Sequence, residues 1–183
     1  MAEAAAEDTG AGALAFLDHH HGYSDALIRK VLSGTRTIAM VGASTNWKRP
    51  SYFVMKYLQK KGYRVIPVNP GSAGQTLLGE TVHASLAEIP DRFDMVDVFR
   101  SSEAALGVTQ DVLACQADKG IDTIWMQLTV RNDHAARLAE DAGLTVVMNR
   151  CPKIEYARLA GELGWSGINT GIISAKSLRP PRS

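Results

Sequence analysis

The residues best suited to chemistry in this 183-residue chain join a predicted strand to a predicted helix. The segment reads Gly42, Ala43, Ser44, Thr45 and Asn46, and it continues into Trp47, Lys48, Arg49 and Pro50. Small residues let a backbone approach a phosphate closely, hydroxyls offer hydrogen bonds, and the start of a helix presents unpaired N–H groups. The segment therefore predicts an anion site at the beginning of a helix.

The distribution of charge supports this prediction. Although 20 Lys and Arg nearly balance 19 Asp and Glu, no acidic residue occurs between Ala26 and Gly79. The same stretch holds nine basic residues: Arg29, Lys30, Arg36, Lys48, Arg49, Lys56, Lys60, Lys61 and Arg64. A region of one charge sign raises the local concentration of an anionic ligand. Lys56, Lys60 and Lys61 are interpreted as the solvated face of a helix, not as ligand contacts.

Two other groups of reactive side chains are interpreted as structural and not as catalytic or metal-binding. Cys151 precedes a proline, and a nucleophilic role would require a partner such as His83 or His134, neither of which is near it in sequence. His19, His20 and His21 are consecutive. Three consecutive side chains cannot all reach one ion from a regular element, so they predict a polar surface loop and no metal site.

Common nucleotide motifs are missing from the sequence. No second or third glycine follows Gly42 at the spacing of the dinucleotide fingerprint, and no P-loop lysine motif occurs. A nicotinamide-binding domain usually carries an acid at the end of its second strand. The corresponding end here reads Val68-Asn69-Pro70. These observations weaken an assignment to NAD or nucleoside triphosphates.

Short apolar runs alternate with helical periods along the chain. Strands are predicted at residues 37–41, 64–68, 94–99, 123–127 and 145–148, with a shorter strand or loop around 80–82. Helices are predicted at residues 24–32, 50–61, 101–120, 132–142 and 154–163. Apolar strands separated by helices predict a doubly wound parallel sheet of Rossmann type with about five strands. The fold class is therefore α/β.

One domain accounts for this length. A tail and a short helix are expected at residues 1–33, the Rossmann domain at 34–165 and a second tail at 166–183. Of the residues, 45% are hydrophobic, and neither a membrane span nor a secretory signal is expected. Two cysteines make no disulfide framework, so a cytoplasmic location is expected. The balanced charge argues against a nucleic-acid partner.

Ligands of open parallel sheets bind beyond the carboxyl ends of the strands. This rule selects the loops at residues 42–50, 69–74, 99–102, 127–131 and 149–153. Four segments at these loops resemble the CoA-binding domain family: Val41-Gly42-Ala43-Ser44, Val65-Ile66-Pro67-Val68-Asn69-Pro70, Asp94-Met95-Val96-Asp97-Val98-Phe99-Arg100 and Asn149-Arg150-Cys151-Pro152. The family is similar to the amino-terminal domain of the succinyl-CoA synthetase alpha subunit. The resemblance covers residues 37–156.

The resemblance implies a Rossmann fold that holds CoA. By this likeness Gly42, Ala43, Ser44, Thr45 and Asn46 would contact the pyrophosphate, and Asn69 and Pro70 would flank the nucleotide. Phe99, Arg100 and Ser101 would line the adenine side, and Gln127, Leu128 and Thr129 would lie near the pantetheine arm. The synthetase domains carry a lysine where this chain has Ser72. Arg49, or Lys48, is expected to supply the replacement charge.

The resemblance implies a stand-alone CoA or acyl-CoA binding protein, acting as a sensor, a carrier or a partner subunit. The synthetases also need a phosphorylated histidine on a second domain and a nucleotide-grasping domain, for which this chain is too short. The alternatives are an NAD(P)-dependent oxidoreductase, an acyl-CoA processing enzyme that uses Cys151, and a protein-interaction module with a vestigial pocket. A homo-oligomer or a protein partner remains open. Gly42→Asp is predicted to abolish CoA binding while the fold survives.

Overall fold

A computed structural model describes residues 19–162 of the chain. Its helices are α1 (Asp25–Gly34), α2 (Pro50–Lys60), α3 (Ser102–Lys119), α4 (Asp133–Asp141) and α5 (Pro152–Leu159). Its strands are β1 (Thr37–Val41), β2 (Arg64–Val68), β3 (Thr76–Leu77), β4 (Glu80–Thr81), β5 (Met95–Val98), β6 (Thr123–Met126) and β7 (Thr145–Val147). The predicted strands and helices are present with ends shifted by a few residues. Most of the predicted amino-terminal tail, the last predicted helical residue and the carboxyl-terminal tail lie outside the described residues.

The large sheet has five strands in the order β2-β1-β5-β6-β7, and every neighbouring pair is parallel. The chain moves outward from β1 to β2 and then returns to the other side of β1 to begin β5. The strand order therefore reverses between β1 and β5, which is where ligands bind in doubly wound sheets. The predicted α/β class and the Rossmann-type sheet are confirmed.

Helices cover both faces of this sheet. On one face, α3 and α4 pack against strand residues such as Ala39, Val96 and Ile124. On the other face, α1, α2 and α5 pack against residues such as Ile38 and Trp125. Successive strand residues alternate between the two faces, as the pleat requires. None of the described helices combines the length and the apolar character needed to cross a bilayer.

Pro67 lies within β2, which is an edge strand of the five-stranded sheet. Proline removes a backbone donor and is tolerated at such an edge. Beyond this edge, the His83 N–H donates to the Pro67 carbonyl at 3.0 Å. The segment between them forms the antiparallel pair β3 and β4. The sequence left a strand or a loop open at residues 80–82, where β4 lies, and gave no strand at β3.

α1 is fixed to the rest of the domain by polar contacts. The guanidinium of Arg158, on α5, lies 2.8 Å from a carboxylate oxygen of Asp25. The hydroxyl of Tyr63 donates to the Leu32 carbonyl at 2.7 Å. Ser24 caps α1 by accepting from the Leu27 N–H, as its position in the sequence predicted.

Two sequence-based interpretations need correction. Lys56 and Lys60 are exposed as expected, but Lys61 is half-buried and forms an ion pair with Glu162. The surface-loop interpretation is wrong for His20, which is only 4% exposed. Its Nδ1 lies 2.7 Å from the hydroxyl oxygen of Tyr23. Burial lowers the pKa of His20 to about 4, so the ring is neutral near pH 7.

Candidate functional site

The loop after β1 is held by hydrogen bonds among its own residues and the start of α2. The Ser44 N–H donates to the hydroxyl of Ser51, which is buried. The Asn46 N–H donates to the Ser44 hydroxyl, and the Lys48 N–H donates to the Asn46 side-chain carbonyl. Such local side-chain bonds stabilise a turn. Ala43 is buried, whereas Thr45 and Asn46 are exposed.

Gly42 begins this loop with a φ of +87°, a conformation that favours glycine. Its N–H donates to the Val68 carbonyl at 2.9 Å. A β-carbon at this position would lie only 2.3 Å from the Phe99 carbonyl oxygen. Gly42 is therefore required for the close approach of two backbone segments at the carboxyl edge, whatever it does for a ligand.

Asn69 joins the loops that follow β1 and β2. Its side-chain amide donates to the Ala43 carbonyl at 2.8 Å, and its side-chain carbonyl accepts from the Gly71 N–H at 3.0 Å. One side chain thus sets the spacing of two loops that the sequence assigned to the ligand site. Asn69 acts here as a positioning residue.

A cleft of about 470 Å³ opens beside these loops, on the face covered by α3. Gly42 and Pro70 form its rim at the ends of β1 and β2, and Arg100 contributes from the loop after β5. The remaining wall consists of Val41, Val68, Ala84, Ser85, Leu86, Glu103, Ala104, Gly107, Val108 and Asp111. This volume suits a group of nucleoside size, since small-molecule sites commonly occupy 300–1,000 Å³.

Two arginines of the predicted site lie at different places near the carboxyl edge of the sheet. Arg100 is exposed and lines the cleft. Arg49 is also exposed and occupies the N-cap position of α2, where its side chain makes no capping hydrogen bond. The Lys48 ammonium lies 5.6 Å from the centroid of the Trp47 ring, which is 61% exposed.

Phe99 and Ser101 flank Arg100 but do not line the cleft. The Phe99 ring packs against the core on the opposite face of the sheet, next to residues of the α1, α2 and α5 layer. The Ser101 hydroxyl accepts from the Ala104 N–H and caps α3. Of these neighbouring residues, Arg100 alone has its side chain at the cleft.

Gln127 is buried, and its amide donates to both carboxylate oxygens of Asp97 at 2.9 and 3.1 Å. Asp97 is completely buried within β5. Burial raises the pKa of Asp97 to about 7, although the hydrogen bond from Gln127 opposes this rise. The Gln127 side chain therefore lies in the protein interior, where it is hydrogen-bonded to Asp97.

The two residues after Gln127 face outward. Leu128 is 47% exposed, and Thr129 is exposed with a φ of +69°. Positive φ is unusual for a β-branched residue. Two bonds hold this conformation: the Thr129 N–H donates to the Asn149 side chain, and the Ser102 hydroxyl donates to the Thr129 carbonyl. The loop after β6 is thus fixed in a strained conformation at the carboxyl edge.

Cys151 occupies the N-cap of α5 and is buried. Burial raises the pKa of its thiol above the ordinary value, and the nearby Asp97 adds to this effect. A thiol that stays protonated at neutral pH is a poor nucleophile. This environment does not support chemistry at Cys151.

Sequence reasoning missed two walls of the cleft, the segment at residues 84–86 and the exposed face of α3. One signal was available. Gly107 lies in the middle of α3, where glycine costs roughly 1 kcal/mol relative to alanine. Together with Ala104 it leaves the helix surface open to the cleft, and no atom lies within 4 Å of where its β-carbon would be.

Comparison with known proteins gives consistent results. YneT of Bacillus subtilis strain 168, an uncharacterized protein, is 37% identical over 134 residues, which is 73% of this chain and 95% of that protein. A solved structure from Thermus thermophilus is 36% identical, with a TM-score of 0.69 over 75% of this chain and 99% of that one.

A dinucleotide-forming acetyl-coenzyme A synthetase from Ca. Korarchaeum cryptofilum shares the fold at 21% identity, with a TM-score of 0.53. The match covers 67% of this chain and 27% of the synthetase. The family model described as a CoA binding domain matches residues 36–157. This match spans about two thirds of the chain and shows that the chain belongs to the CoA-binding domain family.

Proposed function

We propose that this chain binds coenzyme A, or an acyl-CoA, as a stand-alone domain without a complete catalytic site. The observation that carries the proposal is the cleft beside the reversal of strand order, with Arg100 and the fixed loop after β1 at its rim. Membership of the CoA-binding domain family supports the choice of ligand. Sensor, carrier and partner-subunit roles are all compatible with such a binding domain.

The lining of the cleft suits an adenosine group. Val68, Leu86 and Val108 offer an apolar surface for the base. Ser85, Glu103 and Asp111 add polar side chains. Carboxylates and hydroxyls can accept hydrogen bonds from an amino group and from ribose hydroxyls. In this proposal the loop of residues 42–46 contacts the pyrophosphate, and Asn69 and Pro70 flank the nucleotide.

The pantetheine arm would extend along the carboxyl edge toward Leu128 and Thr129, which are the exposed residues of the loop after β6. Gln127 would support that loop from within, through its bond to Asp97. The sizes of the relatives support a stand-alone role, because this chain covers 95% of YneT and 99% of the Thermus thermophilus chain.

Filling the cleft should weaken CoA binding without harming the fold. Leucine is a better helix former than glycine, and no atom lies within 4 Å of a β-carbon at Gly107. The added side chain would displace an apolar contact worth about 2 kcal/mol, so Gly107→Leu should weaken CoA about thirtyfold. Isothermal titration calorimetry of the purified chain measures this change.

Ala117→Leu is the matched control, because Ala117 is an exposed residue of α3 outside the cleft. It should bind CoA like the parent. A folded Gly107→Leu variant with parental affinity would exclude the cleft from the site. If the parent binds neither CoA nor acetyl-CoA, and binds NAD or NADP instead, the proposed ligand is wrong.

Arg100→Ala should weaken CoA about ten- to hundredfold, because a charge-assisted contact to phosphate contributes about 1.5–3 kcal/mol. Arg49→Ala tests the second cation and is expected to have an effect in the same range. Lys48→Ala is the control, since its ammonium lies over the Trp47 ring. Titration with CoA and with dephospho-CoA locates each contact.

A variant that loses affinity for CoA alone identifies a contact to the 3′-phosphate. A variant that loses affinity for both ligands identifies a contact to the pyrophosphate. Parental affinity in both arginine variants, over a range of salt concentrations, would show that neither arginine contacts the ligand.

A further inference from the structure

Three potential metal ligands converge on the side of the domain formed by α4 and the turn before α1. His19 Nε2 lies 3.7 Å from Glu140 Oε1, and His20 Nε2 lies 3.2 Å from the same oxygen. One ligand atom from each of the three residues lies within 4.8 Å of the others. The histidines are far from Glu140 in sequence, so only the fold brings the three together.

The spacing of these atoms is close to that of a tetrahedral metal site. Zinc binds imidazole nitrogen and carboxylate oxygen at about 2.0–2.2 Å, which places tetrahedral ligand atoms about 3.3 Å apart. The two distances to Glu140 are near this value. His19 is exposed, so its ring can rotate to bring its nitrogen closer to the other two ligand atoms.

The His20 ring is held in place by a second hydrogen bond. Its Nδ1 lies 2.7 Å from the hydroxyl oxygen of Tyr23, and that hydroxyl accepts from the Met148 N–H at 2.7 Å. Metal-binding histidines commonly use their other ring nitrogen in this way, because the bond fixes the orientation of the ring. Nε2 is then directed at Glu140.

We propose that His19, His20 and Glu140 bind a divalent transition-metal cation such as Zn²⁺, with a fourth position open to water. Two imidazoles and a carboxylate suit zinc, cobalt or nickel better than magnesium or calcium. The cation would fasten the turn before α1 to α4. It would also lie close to the loop after β6, because the Arg131 guanidinium donates to the His20 carbonyl at 3.4 Å.

Titration of the purified full chain with Co²⁺ and with Zn²⁺ tests this site. One equivalent should bind, and the Co²⁺ absorption spectrum should show the visible bands of nitrogen and oxygen ligation without a thiolate charge-transfer band in the near ultraviolet. The absence of that band separates the site from Cys115 and Cys151. Bound Zn²⁺ should also raise the melting temperature of the chain.

His19→Ala and Glu140→Gln should each lower the affinity for both metals by about tenfold or more. The controls are His21→Ala and His134→Ala, which remove exposed histidines outside the cluster. Circular dichroism without metal shows whether each variant is folded. The proposal is overturned if the parent binds no equivalent of metal, or if His21→Ala costs as much affinity as His19→Ala.

Discussion

Replacing Gly42 by alanine should lower the free energy of unfolding by about 2–5 kcal/mol. The new β-carbon would lie 2.3 Å from the Phe99 carbonyl oxygen and 2.9 Å from its carbon. Both are backbone atoms of the loop after β5, so they cannot rotate away as a flexible side chain would. The φ of +87° adds the cost of a left-handed conformation for a residue with a side chain. Urea denaturation followed by circular dichroism measures the loss.

Gly79→Ala is a closely matched control. Gly79 has the same φ of +87°, but no atom lies within 4 Å of where its β-carbon would be. In this variant the free energy of unfolding should fall only by the cost of the left-handed conformation, about 1–2 kcal/mol. The difference between the two variants therefore reports the contact with Phe99. Equal losses would show that the loops after β1 and β5 separate readily, so that the Phe99 carbonyl does not obstruct a side chain at residue 42.

This geometry changes how Gly42 can be used to study a ligand. The sequence predicted that Gly42→Asp would abolish CoA binding and spare the fold. The structure argues against the second part, because any side chain at residue 42 meets the Phe99 carbonyl and should destabilise the fold. Loss of binding in a Gly42 variant would not locate the ligand. Gly107→Leu is the sharper test, since its side chain would enter open space.

Much of the fold could be predicted because local signals and long-range packing agree. Ser101 accepts from the Ala104 N–H at the start of α3, and Gly120 ends that helix with a φ of +75°. Strand order depends on contacts between distant segments, so apolar runs alone do not determine it. β3 was missed and β4 was left as a strand or a loop, because strands of two residues have no measurable period.

The candidate site, too, could be predicted from the sequence only in part. The loop after β1 was predictable, since small residues and hydroxyls precede a proline at a helix start. The cleft wall on α3 was not, because Glu103, Val108 and Asp111 resemble any helix surface until the fold places them opposite residues 84–86. Nor could the sequence pair His20 with Glu140, whose proximity depends on the docking of the turn before α1.

The buried pair of Asp97 and Gln127 was also missed, although polar residues within apolar strands are unusual. Thirty residues separate the two in sequence, and the register of β5 with β6 brings them together. This pair has a thermodynamic consequence. A buried carboxyl with a pKa near 7 binds its proton more tightly in the folded chain than in the unfolded one.

Asp97 should therefore make the folded state less stable as the pH rises from about 4 to about 7. Between the ordinary pKa of 3.8 and the folded value of about 7, the folded chain holds a proton that the unfolded chain has released. Linkage converts this difference into about 4 kcal/mol. His20 has the opposite effect. Burial lowers its pKa, so His20 makes the folded state more stable as the pH rises from about 4 to 6.5.

Asp97→Asn separates these opposing contributions, since it removes one titration and leaves that of His20 in place. The stability of the variant relative to the parent should rise by about 4 kcal/mol between pH 4 and pH 8. Urea denaturation of both proteins at several pH values measures this difference. Asp118→Asn is the control, because it makes the same substitution at an exposed position. If the stability of Asp97→Asn changes with pH just as that of the parent does, Asp97 ionises in the folded chain at an ordinary pKa. Water must then reach the carboxylate between β5 and β6.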